Sequence, residues 1–129
     1  MERGTDRKKR VLVVDDEPAI GDILRIKLGH SGFEVTTTIS GAEAIDLIRT
    51  REIDAVLLDI LMPEVTGMDV LDRVRTFSRV PIIVFATNPD VVRFALDNGA
   101  TDVIAKPFDI DQLVDKLRSI LSNTARHKS

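Results

Sequence analysis

Short apolar runs recur along the chain and alternate with amphipathic stretches. The runs stand at 11–14, 33–39, 54–60, 80–86 and 101–105. All but the second lack polar alternation, which is typical of strands that are covered on both faces of a parallel sheet. The second run, "FEVTTTI", is β-branched and more polar, which favours an edge position. The pattern therefore predicts five strands, one of them at a sheet edge.

The stretches between the runs carry apolar residues three or four positions apart, which is the spacing of helices. Capping residues mark several helix ends. Gly32 is expected to close the first helix in a left-handed conformation, and Ser40 with Glu43 has the spacing of a capping box at the start of the second. Asn88 followed by Pro89 predicts the start of the fourth helix.

The order along the chain is thus a strand followed by a helix, five times over. Such alternation predicts an α/β fold with a doubly wound parallel five-stranded sheet between two helical layers, because right-handed crossovers place helices on both faces. In sheets of this kind, ligands bind beyond the carboxyl ends of the strands. The residues at those ends are therefore the candidates for function.

Charged residues gather at those predicted strand ends. The first run leads into Asp15 and Asp16, the third ends at Asp59, and the fifth ends at Lys106. Carboxylates about 4 Å apart repel by roughly 4 kcal/mol at an effective dielectric constant of about 20, so the acids need a compensating cation. Oxygen ligands without Cys or His suit Mg²⁺, and a lysine can pair with a carboxylate or a phosphoryl group. The residues predict a site that handles phosphate on an aspartate.

Composition narrows the class of protein. The chain has 129 residues, 43% of them apolar and 30% charged, as expected of one globular domain. No run approaches the roughly 20 apolar residues of a membrane span, no signal-peptide pattern is present, and cysteine is absent, which together favour a cytoplasmic protein. The net charge of -3 argues against direct nucleic-acid binding. We expect a flexible basic lead-in over 1–9, one domain over 10–122 and a C-terminal tail over 123–129.

Three motifs resemble those of the receiver domain of two-component response regulators, the CheY-like superfamily. They are "VLVVDDEP" at 11–18, "LLDILMP" at 57–63 with Gly67 after it, and "AKPF" at 105–108. The resemblance extends over nearly the whole chain, from about residue 10 to residue 121. It implies the flavodoxin-like strand order 2-1-3-4-5.

The resemblance also implies a role for the acidic residues. Asp59 would accept a phosphoryl group from a histidine kinase or a histidine phosphotransfer protein. Mg²⁺ would be held by Asp16, by Asp59 and by the main-chain carbonyl of Leu61, with Asp15 in the outer shell. The chain would then be a phosphoacceptor.

Further implications concern signalling. The domain would be no enzyme, but would switch the binding of a downstream output protein or domain, and a homodimer through the face of the fourth and fifth helices is a further partner that the resemblance allows. Lys106 would pair with the phosphorylated aspartate, and the bond between Lys106 and Pro107 would be cis. Both a stand-alone receiver and a receiver within a longer regulator are compatible with the sequence.

The end of the fourth run leaves two candidates for one role. In the family, a Thr or Ser there supplies a hydroxyl to the phosphoryl group, and an aromatic residue in the fifth strand turns inward with it. Val103 occupies the aromatic position here. Counting from Pro81 places Ala86 at the hydroxyl position, whereas counting from Asp59 allows Thr87. We favour Thr87, because a phosphoryl oxygen would otherwise face a methyl group.

Three other functions compete with this interpretation. A Mg²⁺-dependent aspartyl phosphatase of the haloacid-dehalogenase type has a second acid two residues after the nucleophile, where this chain has Leu61. A nucleotide-binding module needs a glycine-rich phosphate loop, which is missing after every predicted strand. A degenerate receiver that binds partners without phosphorylation is the remaining alternative, and the presence of all three acids and the lysine argues against it.

Overall fold

The computed structural model describes residues 7–60 and 66–128, with the backbone alone over 123–128. Strands and helices alternate through these residues. The strands are β1 (Arg10–Val14), β2 (Glu34–Thr38), β3 (Ala55–Asp59), β4 (Ile82–Ala86) and β5 (Asp102–Ala105). The helices are α1 (Pro18–His30), α2 (Gly41–Thr50), α3 (Gly67–Arg75), α4 (Pro89–Asp97) and α5 (Ile110–Lys128).

The strands form one parallel sheet in the order β2-β1-β3-β4-β5. This order confirms the predicted α/β fold, the flavodoxin-like topology and the edge position of β2. Asp59 at the end of β3 is in register with Phe85, and Ala86 at the end of β4 is in register with Ala105. The carboxyl ends of β3, β4 and β5 therefore lie side by side along one end of the sheet, its carboxyl edge.

Alternate residues of the strands feed two apolar cores, one on each face of the sheet. The first, which we call the α2–α4 core, joins strand residues to α2, α3 and α4 and includes Leu12, Val56, Leu58, Val84, Ala44, Val70, Leu71 and Ala95. The second, the α1–α5 core, joins the other strand residues to α1 and α5 and includes Val11, Val13, Leu57, Phe85, Ile104, Leu24, Leu28, Leu113 and Leu117. Every residue of β3 and β4 is buried, as strands covered on both faces require.

The helix ends follow the capping residues with one departure. Gly32 after α1 has a φ of 98°, and the Asn88 side chain accepts the Asp90 N–H at the start of α4, as predicted. The Ser40 side chain accepts the Glu43 N–H at the start of α2, but the reciprocal half of the predicted capping box is wrong. The Ser40 N–H donates instead to the buried Thr38 hydroxyl, which itself donates to the Glu43 carboxylate. A side chain from the preceding strand thus competes for both partners.

The last helix extends further than the predicted domain. The backbone of α5 is helical through Lys128, into the range expected to be a tail, and the bounds of the domain stay a prediction. Over the residues described, the helices all lack the combination of length and apolar character that a membrane span needs.

Candidate functional site

Charged side chains from separate parts of the sequence meet at the carboxyl edge of the sheet. Asp59 is the last residue of β3, Asp15 and Asp16 follow β1 directly, and Lys106 follows β5 directly. Because strand side chains alternate between faces, Asp59 lies on the same face as Leu57, the face of the α1–α5 core. The ends of β1, β3 and β5 therefore position the charges that the sequence predicted.

The distances define a compact cluster of carboxylates beside one ammonium group. Asp15, Asp16 and Asp59 each offer an oxygen within 4.8 Å of the others, and we call these three residues the carboxylate cluster. Lys106 Nζ lies 3.5 Å from Asp59 Oδ2 and 3.8 Å from Asp15 Oδ2. One lysine balances only part of the charge of three acids, so the cluster favours a further cation.

Asp15 is a buried carboxyl whose surroundings disfavour its charge. It is 2% exposed, its main-chain N–H donates to the Thr38 carbonyl at 3.1 Å, and its Oδ1 accepts the Glu17 N–H at 2.9 Å. Burial, reinforced by the charge of Asp59, raises the pKa of Asp15 from 3.8 to about 6, against the opposing effects of the Glu17 N–H and of Lys106. The protein therefore keeps this carboxyl in a position where its ionised form is costly.

The chemistry of the cluster fits a magnesium ion. Its side-chain donors are carboxylate oxygens, which Mg²⁺ prefers, and they converge from two strand ends. Asp15 Oδ2 is buried and accepts no hydrogen bond from the residues that the structure describes, so an oxygen lone pair is available to a cation or its water. Leu61, whose main-chain carbonyl is the further predicted ligand, lies outside the described residues.

The two candidates for the hydroxyl position differ in surroundings. Ala86 ends β4, is 3% exposed and packs with Val84 in the α2–α4 core. Thr87 follows the strand and is exposed. Both line a cleft of about 340 Å³ that also contains Asp59 and Lys106. Thr87 therefore lines the same cleft as Asp59 and Lys106, from a position one residue beyond the end of β4.

The segment after β5 carries the lysine of the site. The Lys106 N–H donates to the Ala86 carbonyl at 3.0 Å, which ties this segment to the end of β4. The peptide bond between Lys106 and Pro107 is cis. Val103, at the family's aromatic position, is partly buried against the α2–α4 core.

One residue of the site went unnoticed in the sequence. Phe85 has no exposed surface, stacks on Phe108 and lies under the Lys106 ammonium, with Nζ 5.7 Å from the ring centroid. Within "VPIIVFA" it reads as one more apolar strand residue. Its register with Asp59 is the signal that would have found it, and register depends on the pairing of distant segments.

The chain is similar to known receiver domains in sequence. The family model described as response regulator receiver domain matches residues 11–118. The response regulator MprA of Mycobacterium sp. (strain KMS) is 38% identical over 119 residues, which cover 90% of this chain and 52% of MprA. The DNA-binding response regulator MtrA of Mycolicibacterium smegmatis is 36% identical over 116 residues, which cover 88% of this chain and 51% of MtrA. The chain spans about half the length of these curated relatives.

A solved structure gives the same picture. The crystal structure of a CheY-like response regulator receiver domain protein from Methanospirillum hungatei JF-1 matches with a TM-score of 0.88 at 26% identity. The match covers 94% of this chain and 99% of that chain. The sheet, the helices and the strand ends that carry the carboxylate cluster therefore belong to a fold seen before.

Proposed function

The chain belongs to the response regulator receiver domain family, and from this premise we propose that Asp59 is the phosphoacceptor of a two-component phosphorelay. A receiver is a signalling domain and not a conventional enzyme. The observation that carries the proposal is the position of Asp59, which ends β3 within the carboxylate cluster, 3.5 Å from the ammonium of Lys106.

The proposed reaction is the transfer of a phosphoryl group to a carboxylate. An oxygen of Asp59 attacks the phosphorus of a phosphohistidine, the bond from phosphorus to the imidazole nitrogen breaks, and that nitrogen keeps the electron pair and takes up a proton. Catalysis of such a transfer consists mostly of positioning and of stabilising negative charge. Lys106 supplies a positive charge on the Asp59 side of the cleft, where oxygens of the transferred group would gather.

We infer that Mg²⁺ is the cofactor, held by Asp16, Asp59 and the Leu61 carbonyl, with Asp15 in the outer shell. The ion, when bound, supplies neutralisation of the phosphoryl oxygens. The oxygen-only donors and the buried Asp15 Oδ2 without a hydrogen bond support this assignment. Asp15 also anchors the segment after β1 through its contacts with Thr38 and Glu17, which keeps Asp16 beside Asp59.

We further propose that Thr87 supplies the hydroxyl that meets the phosphoryl group. Its exposure at the rim of the cleft and its place just beyond the end of β4 support this role, whereas the methyl group of Ala86 is committed to the α2–α4 core. The aromatic partner that other receivers use is replaced by Val103, so the hydroxyl would act without it.

The partners follow from the family and remain proposals. The phosphoryl donor would be a histidine kinase or a histidine phosphotransfer protein, and the output would be a downstream protein or domain, with a homodimer through α4 and α5 as one form of response. The relative MtrA is described as DNA-binding, and the match spans about half of it. We propose that the receiver occupies 10–122 of this chain, and that 1–9 and 123–129 flank it.

Incubation with acetyl phosphate and Mg²⁺ tests the proposed function. Intact-protein mass spectrometry should show the gain of one phosphoryl group, which depends on Mg²⁺ and is lost in Asp59→Asn. Asp72→Asn is the matched control, because Asp72 is an exposed carboxylate on α3 outside the cluster, and it should be phosphorylated normally. A wild-type protein that gains no mass under these conditions would refute the proposal and favour a degenerate receiver.

A further inference from the structure

Two phenylalanine rings lie against each other on the face of the sheet that carries Asp59. Phe85 is fully buried, and its ring stacks on that of Phe108 with centroids 4.9 Å apart and ring planes inclined by 19°. Aromatic pairs at such separations attract each other beyond the effect of burial. The pair therefore joins β4 to the segment after β5 that carries Lys106.

The ammonium of Lys106 lies over the Phe85 ring of this pair and also close to two carboxylates. Nζ lies 5.7 Å from the centroid of Phe85, which is within the range of a cation–π interaction, and 3.5 Å from Asp59 Oδ2. The lysine stem is flexible and its ammonium is a point charge, so its position depends on the groups around it. Phe85 on β4 is in register with Asp59 on the neighbouring strand β3, so the pairing of these two strands places the ring beside the acceptor.

The opposite face of the sheet holds Val103, at the family's aromatic position, and Ala86, one of the two candidates for the hydroxyl position. Both contact the α2–α4 core, and neither carries an aromatic ring or a hydroxyl. Phe85 belongs to the α1–α5 core together with Leu57 and Ile104. The aromatic side chain next to the site therefore stands one strand away from its usual place and on the other face.

We propose that Phe85 is a positioning residue for Lys106, because its ring, braced by Phe108, holds the ammonium over Asp59. The inference rests on the proposed phosphoacceptor function. Removal of the ring should leave the carboxylate cluster intact but let the ammonium move away from the acceptor. Phosphorylation should then slow while Mg²⁺ binding stays the same.

A double-mutant cycle tests the coupling between the two side chains. The rate of phosphorylation by acetyl phosphate is measured for wild type, Phe85→Leu, Lys106→Met and the double variant. Phe85→Leu should slow the reaction by about two- to fivefold, the effect of a modest cation–π interaction, and should cause no further loss when Lys106 is already Met. The Mg²⁺ dissociation constant, from calorimetry, should be equal in wild type and Phe85→Leu. Equal slowing in both backgrounds would overturn the proposal.

A control separates loss of positioning from loss of packing. Phe33→Leu removes a ring from the same core, where Phe33 is 7% exposed and lies before β2 at the amino edge of the sheet, and its rate should match that of wild type. Phe85→Met is the second variant if Phe85→Leu fails to fold, because Met is adaptable in shape and has no ring.

A spectroscopic readout distinguishes this inference from the function on which it rests. The ε protons of Lys106 should show a ring-current shift in NMR spectra of the unphosphorylated protein, lost in Phe85→Leu and kept in Phe33→Leu. An unchanged Lys106 signal in Phe85→Leu overturns the positioning role even if Asp59 is phosphorylated. Failure of wild-type phosphorylation with an intact ring-current effect overturns the function of Asp59 and leaves the contact of Phe85 with Lys106 established.

Discussion

Replacement of Asp15 by Asn should stabilise the metal-free protein at neutral pH. Asp15 is 2% exposed, and burial together with the charge of Asp59 raises its pKa from 3.8 to about 6. Asn keeps an oxygen that can accept the Glu17 N–H, and it removes the charge that burial disfavours. The free energy of unfolding should therefore increase wherever wild-type Asp15 is ionised.

The magnitude follows from the two pKa values of Asp15. Below pH 3.8 the carboxyl is protonated in both the folded and the unfolded chain, and it contributes no pH dependence. As the pH rises from 3.8 to about 6, the unfolded chain loses the proton first, so wild-type stability falls. The rise of the Asp15 pKa from 3.8 to about 6 corresponds to about 3 kcal/mol, because each tenfold change in proton affinity is worth about 1.4 kcal/mol. The difference in free energy of unfolding between Asp15→Asn and wild type should therefore grow by up to about 3 kcal/mol as the pH rises from 3.8 to about 6, and stay constant at higher pH.

Urea denaturation followed by far-UV circular dichroism measures this effect, because the chain has no Trp or Tyr for fluorescence. Wild type and Asp15→Asn are compared with a chelator present, at several values between about pH 4 and about pH 7.5. Asp72→Asn, at an exposed position on α3, is the control and should show no such trend. A stability difference that does not grow with pH would refute the electrostatic account of the cluster. In separate measurements with saturating Mg²⁺, wild type should be stabilised more than Asp15→Asn.

Three further predictions concern other parts of the site. Gly67→Ala should lower the free energy of unfolding by about 1–3 kcal/mol in thermal melts, because a Cβ there would overlap the Asp59 carbonyl oxygen and Ile60 Cα. Gly29→Ala is the control, because a Cβ at that position meets open space, and it should be neutral or stabilising. Thr87→Ala should leave phosphorylation of Asp59 intact but reduce the amide chemical-shift changes that follow phosphorylation in NMR spectra. Thr36→Ala, at an exposed position on β2, is the control. Chemical-shift changes in Thr87→Ala as large as those of wild type would exclude Thr87 from the response. Thr38→Val should lower the free energy of unfolding, measured by urea denaturation, by about 1–2 kcal/mol, because the Ser40 N–H and the Glu43 carboxylate lose their buried partner. Thr38→Ser keeps the hydroxyl and should retain most of the wild-type stability. Equal stability of wild type and both variants would contradict this account.

Much of the fold could be predicted from local patterns. The continuous apolar runs at 54–60 and 80–86 became β3 and β4, in which every residue is buried, and the polar β-branched run at 33–39 became the edge strand β2. Buried strands need apolar residues on both faces and edge strands do not, which explains β2, β3 and β4. The same reasoning is wrong for the run at 101–105, which became β5, the other edge strand, and is only partly buried. The Asn88 cap likewise depends on residues within one turn, and it formed as predicted.

The capping box at Ser40 shows that a motif within one segment does not determine all of its hydrogen bonds. Its spacing was correct and its first hydrogen bond formed, but Thr38 took the partners of the second. Thr38 is buried at the end of a strand, and its hydroxyl must find partners wherever the fold places it. A local motif can therefore lose half of its bonds to a buried polar neighbour that the motif does not include.

The sequence by itself determined the fold class, the strand order implied by its motifs, and the identity of the acids and the lysine, because parallel strands bring their carboxyl ends to one edge. Only the tertiary structure decided which groups touch. It buries Asp15, which raises the pKa of that carboxyl, and it places Phe85 under Lys106. These contacts depend on the register between strands far apart in the chain and on the face to which each side chain points. Periodicity within one segment carries no information about either.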